Sequence, residues 1–213
     1  MNPILSFLQG LLGNGSKTTS TPTSASSQNP PTSTLKPPST DNSDTQKIHS
    51  THLLDPNDLR TRLQAEVEKE QYQPRPDPDS PKLTETFCNR FTYEVASWYG
   101  FDFFKKNDMR ANDIHQYLKS HPEQWKRVAG PDLDYTIAIE AANQGCLLIA
   151  AQSNSISGHG HVNIIAPEPD GERSDSWKKI VPFVANVGKS CWYGKRLSQS
   201  FIQEPNTYLY IGS

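Results

Sequence analysis

The chain is predicted to fold as an α+β protein behind a disordered N-terminal arm, on three observations. Residues 16–46 are almost entirely Ser, Thr, Pro, Asn, Gln and Asp and hold no aromatic side chain. Such a segment cannot bury enough apolar surface to offset the entropy of ordering it. From Leu83 onward the chain carries all four tryptophans and most of the long apolar runs. Within that part the apolar residues first recur at helical spacing and then, after Gly145, fall into short runs of strand length. Helices followed by adjacent strands make an α+β arrangement.

The elements follow in order. Residues 1–50 form the arm. It opens with a short apolar segment in which Ile4, Leu5, Leu8, Leu11 and Leu12 fit one side of a helix, marginal alone at that length. A helix is expected over 55–70: Asp55 can cap it, Pro56 suits its first position, and Leu59, Leu63 and Val67 recur at spacing four. The run Gln73-Pro74-Arg75-Pro76-Asp77-Pro78 ends it and reads as a stiff spacer. The segment 51–80 is thus a helix and linker, and the main globular domain is expected over 81–213.

That domain opens with a helix whose one face holds Phe87, Phe91, Val95 and Trp98, stopped by Gly100. A second helix is expected over 110–119, with Ile114, Tyr117 and Leu118 inward and His121-Pro122 closing it. A third spans 134–143, ended by Gly145. Residues 146–151 are a continuous apolar strand. Ser153 to Gly160 is a loop of turn residues. His161-Val162-Asn163-Ile164-Ile165 alternates polar with apolar and predicts a half-buried strand. Further strands are expected over 181–187 and 208–211, while the aromatic and basic cluster 189–196 reads as a flank of a substrate cleft or, as is more frequent, a solvated loop.

Composition excludes some functions. The 34% hydrophobic content averages an arm poor in apolar residues with a richer remainder, and the 17 prolines are spread along the chain. A net charge of −2 with mixed signs gives no basic field for nucleic acid. No apolar run reaches the 18 or so residues of a membrane span. The N-terminus has neither the positive start nor the small-residue cleavage site of a secretory signal, and reads as a docking helix or an unconventional export signal. The three cysteines, Cys88, Cys146 and Cys191, are not at metal-ligand spacing, and an odd count leaves at least one free, paired between chains, or reactive.

Cys88 carries the chemistry. It stands at the expected start of a helix, where unpaired backbone N–H groups and a nearby histidine lower a thiol pKa. Ser157-Gly158-His159-Gly160-His161-Val162 places two histidines between glycines at the entry of a strand, where a base is held rigidly. The bland alternatives are a buried apolar cysteine and a surface histidine. The two histidines also suggest a metal, but no third ligand stands at a suggestive spacing.

Thr86-Phe87-Cys88-Asn89-Arg90-Phe91 followed by Gly160-His161-Val162, cysteine before histidine, resembles the papain-like peptidoglycan hydrolases, among them NlpC-type endopeptidases and CHAP-type amidases. Arg110-Ala111-Asn112-Asp113-Ile114 and Val184-Ala185-Asn186-Val187-Gly188 also look like cell-wall amidase domains of phage and secreted effectors. The resemblance covers about residues 82–200. It implies the papain-like fold, with a helix bearing Cys88 packed on an antiparallel sheet whose strands carry His161 and then a polar orienting residue, assigned to Asn186. It implies hydrolysis of an amide in cell-wall peptide, with Asn89, His159 and Trp192 at the substrate. No cofactor or metal is implied. The expected partner is peptidoglycan, together with secretion machinery, a virion or an immunity protein. The expected location is the periplasm or cell wall, reached by a phage or secretion route. Two departures stand out: His159 competes with His161, and residues 146–151 lack the family's usual Gly-Asp pair.

Two rivals remain. Lipid acyl chemistry on this fold places histidine before cysteine, and His49 and His52 sit in or beside the arm. A noncatalytic binding or virion and secretion-associated structural module would make the arm its main feature.

Overall fold

A computed structural model describes residues 53–79, 84–154 and 159–212 of the 213. The expectations for the arm, residues 1–50, lie outside the described residues. One compact unit spans His49–Ser213. It is mixed α+β, and its main sheet is wholly antiparallel.

The first helix, α1 (Pro56–Val67), starts as its sequence predicts. The Asp55 carboxylate accepts from the N–H groups of Asn57 and Asp58 at 2.9 and 3.0 Å, with Pro56 in the first turn. Leu59, Leu63 and Val67 are all buried. They share one apolar cluster with Tyr72, Phe87, Cys88, Phe91 and Val95. Helix α1 therefore shares its core with the segment beyond residue 81. The spacing-four stripe of α1 needs a partner, and it finds one in the sheet and the Cys88 helix. The proline-rich spacer is also tied down: β1 (Arg75–Pro76) pairs with β2 (Thr84–Glu85), and Arg75 bonds Glu85 at 2.9 Å.

Helix α2 (Cys88–Trp98) buries Phe91 and Val95 completely, and Gly100 ends it at φ 78°. A short α3 (Phe103–Lys106) follows, which the sequence reading left out. Helix α4 (Ala111–Ser120) is capped by the Asp113 carboxylate accepting from Arg110 N–H at 3.0 Å. After strand β3 (Trp125–Ala129) comes α5 (Thr136–Asn143). It ends at Gly145, whose φ of 78° and close approach to the Leu54 carbonyl both require glycine.

The six-stranded sheet runs β3-β10-β4-β5-β8-β9, where β4 is Leu148–Gln152, β5 His161–Ile165, β8 Phe183–Asn186, β9 Trp192–Arg196 and β10 Asn206–Tyr210. The last strand sits inside the sheet, between β3 and β4. On one face Ile149, Val162, Ile164 and Ala185 belong to the cluster with α2 and α4. On the other, Leu148, Ala150, Ile165 and Val184 are buried as well, and α5 packs there against β3, β10, β4 and β5.

Three strand expectations are corrected. Strand β5 is not half-buried: α5 covers its second face and Asn163 has no exposed surface. The run 181–187 is broken by Pro182, which cannot donate to a ladder; Ile180–Val181 (β7) turns away to pair with Glu172–Arg173 (β6). Residues 189–196 are not simply a loop, because β9 pairs with β8 across a register shift beside Gly194 at φ 73°. Among the described residues no helix is long and apolar enough to cross a membrane.

Candidate active site

Cys88 is the first residue of α2. The residue before it, Phe87, has no side-chain acceptor for the helix N-terminus. The N–H groups of Cys88 and Asn89 face the Cys88 sulfur, joined by the N–H of Val162 from β5. Helix α2 packs directly on β5, which brings the thiol to the residue beside His161. Burial pushes the Cys88 thiol up, and the three N–H groups pull it down without cancelling that effect. This differs from the expected lowering at a helix N-terminus: with 5% of its surface exposed, Cys88 loses more by desolvation of the thiolate than the backbone donors return.

His161 opens β5 opposite Gln152 of β4. Its Nε2 lies 2.8 Å from Asn186 Oδ1 on β8. Asn186 Nδ2 donates to the Ser190 carbonyl at 2.7 Å across the turn into β9. The Phe201 ring packs against the imidazole at 4.9 Å between centroids. Burial pushes His161 below its ordinary value, and the Asn186 hydrogen bond opposes the shift without reversing it. Thiol and imidazole are thus both held neutral. Among the described residues no hydrogen bond joins the Cys88 sulfur to a His161 nitrogen. Such contacts often tighten only with substrate. Within reach of a neutral thiol, a neutral imidazole can take its proton as a nucleophile forms.

Asn89 is engaged within the fold, donating to the Met109 carbonyl at 3.2 Å and the Tyr93 hydroxyl at 3.1 Å. His159 is exposed, two residues before His161. Trp192 on β9 is the direct partner of Asn186 and half-buried, with Lys195 Nζ 5.4 Å from its ring. Trp125, in contrast, is buried in an aromatic cluster with Phe101, Phe104 and Tyr210. A cleft of about 340 Å³ lies along α2 between Tyr72, Arg90, Tyr93 and Lys105, and neither Cys88 nor His161 lines it. Among the described residues no cluster of three or more His, Cys, Asp or Glu is placed to hold a metal.

Sequence reasoning missed three residues. Gly188 leaves room for the ring, Phe201 packs on it, and Asn163 lies 3.4 Å from Asn186 Oδ1. Only Asn163 left a signal: it is two residues from His161, so both project to the same side of β5. Family models, curated proteins and solved structures give no match to this chain.

Proposed function

We propose that the protein is a cysteine-dependent hydrolase of the papain-like type that cleaves an amide bond in bacterial peptidoglycan peptide. The observation that carries the reading is the 2.8 Å contact of His161 Nε2 with Asn186 Oδ1, with the Cys88 thiol held on the N–H of the adjacent Val162. In this reading Cys88 is the nucleophile, His161 the base and Asn186 the group that orients the base. The peptidoglycan substrate rests on the motifs Thr86-Phe87-Cys88-Asn89-Arg90-Phe91 and Gly160-His161-Val162.

In this mechanism His161 Nδ1 takes the thiol proton as sulfur attacks the amide carbonyl. The resulting oxyanion is met by N–H groups at the start of α2, which shift from the sulfur to the oxygen. The C–N bond breaks, and the leaving amine takes the proton back from His161. Water, deprotonated by the same ring, attacks the thioester, and the acid and the free thiol are released. No cofactor takes part. Action on the cell wall places the protein in the periplasm or outside the cell, delivered by a secretion machine or phage, with an immunity protein as a further partner.

Incubating purified sacculi with the protein and weighing the released fragments tests the reading and identifies the bond. New amino termini within the stem peptide, or at its junction with muramic acid, are expected. A second reading, a noncatalytic binding module, draws on the 5% exposure of Cys88; it predicts retention of the protein on sacculi with no fragments.

A further inference from the structure

Two main-chain carbonyls decide where the proton sits on His161. A carbonyl oxygen only accepts. Leu197 O therefore receives the hydroxyl proton of Ser200, at 2.7 Å. With its single proton committed, Ser200 Oγ accepts from Asn163 Nδ2 at 2.8 Å, which fixes the end of that amide that carries nitrogen. Asn163 Nδ2 also lies 3.4 Å from Asn186 Oδ1 and presents its second proton there. From the other side, Ser190 O can only accept, so Asn186 turns Nδ2 to it at 2.7 Å and Oδ1 to the imidazole. That oxygen, 2.8 Å from Nε2, requires the ring proton on Nε2. In a neutral imidazole Nδ1 then carries the lone pair.

Asn163 is fully buried, and its own Oδ1 has no partner among the described residues. A buried orphan acceptor is destabilising, and its neighbours Val162, Ile164 and Ile165 are apolar. A leucine would fill similar space without that burden, so the value of Asn163 lies in its two donors. We propose that Asn163 and Ser200 are positioning residues that act through Asn186 to hold His161 as the Nε2–H tautomer, leaving Nδ1 to take the Cys88 proton. This rests on the reading of His161 as the base.

The test is nitrogen NMR of the full chain labelled at histidine, at a pH where His161 is neutral, alongside fragment release from sacculi. The wild-type ring is expected to show its proton on Nε2. Asn163→Leu is expected to keep or raise the melting temperature, to give mixed tautomers, and to release fragments roughly tenfold more slowly, the loss typical when a group orienting a functional histidine is removed. Ser200→Ala should shift the tautomer in the same direction and Ser200→Thr should restore it, which keeps the test decisive if Asn163→Leu does not fold. A wild-type ring protonated on Nδ1, or variants with unchanged tautomer and rate, would overturn the proposal. The tautomer is read whether or not the protein cuts peptidoglycan. Expected spectra without fragment release would therefore uphold the positioning network and count against the hydrolase reading.

Discussion

Gly188 and His161 are packed so closely that a Cβ added at Gly188 would lie 3.2 Å from the imidazole Cε1 and 3.9 Å from Nδ1. The nearer distance is shorter than an ordinary carbon–carbon contact. The ring keeps its place because position 188 has no side chain. Gly188→Ala should therefore displace the imidazole slightly and lower kcat about tenfold, and Gly188→Leu should lower it about a hundredfold, since small misplacements of a catalytic group are that costly. The melting temperature should change little in the alanine variant. Equal kcat in all three proteins would remove the ring from catalysis or from this position.

A second histidine makes stability depend on pH. His115 on α4 is buried, its Nδ1 is 2.8 Å from Ser153 Oγ, and its Nε2 has no partner among the described residues. Burial, helped by the Lys119 charge, pushes its pKa from 6.5 down to about 4. The unfolded chain therefore binds a proton in this window that the folded chain does not. Stability contributed by neutral His115 is complete above pH 6.5, falls as pH drops toward 4, and is flat below, by roughly 3 kcal/mol in all. Urea midpoints at pH 7 and pH 4.5 should show this loss in the wild type and a smaller one in His115→Gln. Equal losses in both would assign the acid sensitivity elsewhere.

The core position of α1 is tested by Leu63→Ala. Leu63 is fully buried in the cluster that holds Cys88 and Phe91, so truncation should lower stability by about 2–5 kcal/mol, the usual range for such a cavity. An autonomous domain starting at residue 81 would instead leave the melting of the Cys88 region unchanged in this variant.

The parts of the fold legible in the sequence were those with local causes. Asp55-Pro56 announces α1 through its own capping geometry, Phe87, Phe91 and Val95 announce α2 by spacing, and β5 occupies the expected residues. What escaped depends on partners far along the chain. Strand β3 carries Lys126 and Arg127 because it is a sheet edge, where charge is tolerated, and that charge hides its pattern. Strand β9 hides behind the bulge at Gly194. Asn163 looked like a solvated position because alternation in one strand cannot reveal that α5 covers the far face. Cys88, His161 and Asn186 stood out by residue type, whereas Gly188, Phe201 and Ser200 join them only through tertiary packing.

The thiol itself gives another expected outcome. Because burial holds Cys88 above the ordinary thiol value of 9.0, iodoacetamide should label it slowly at neutral pH, with the rate climbing only in the alkaline range. His161→Ala should slow labelling further by removing the proposed base, and His159→Ala should leave the profile in place. The reverse pattern would transfer the role of base to His159.

The most direct measurement is the rate at which purified sacculi are solubilised by the wild type and by Cys88→Ala, with folding checked by melting temperature. A cysteine mechanism predicts fragment release by the wild type and none above background from the variant, with the two proteins melting within a few degrees of each other. Fragment release by Cys88→Ala at a near wild-type rate would contradict it.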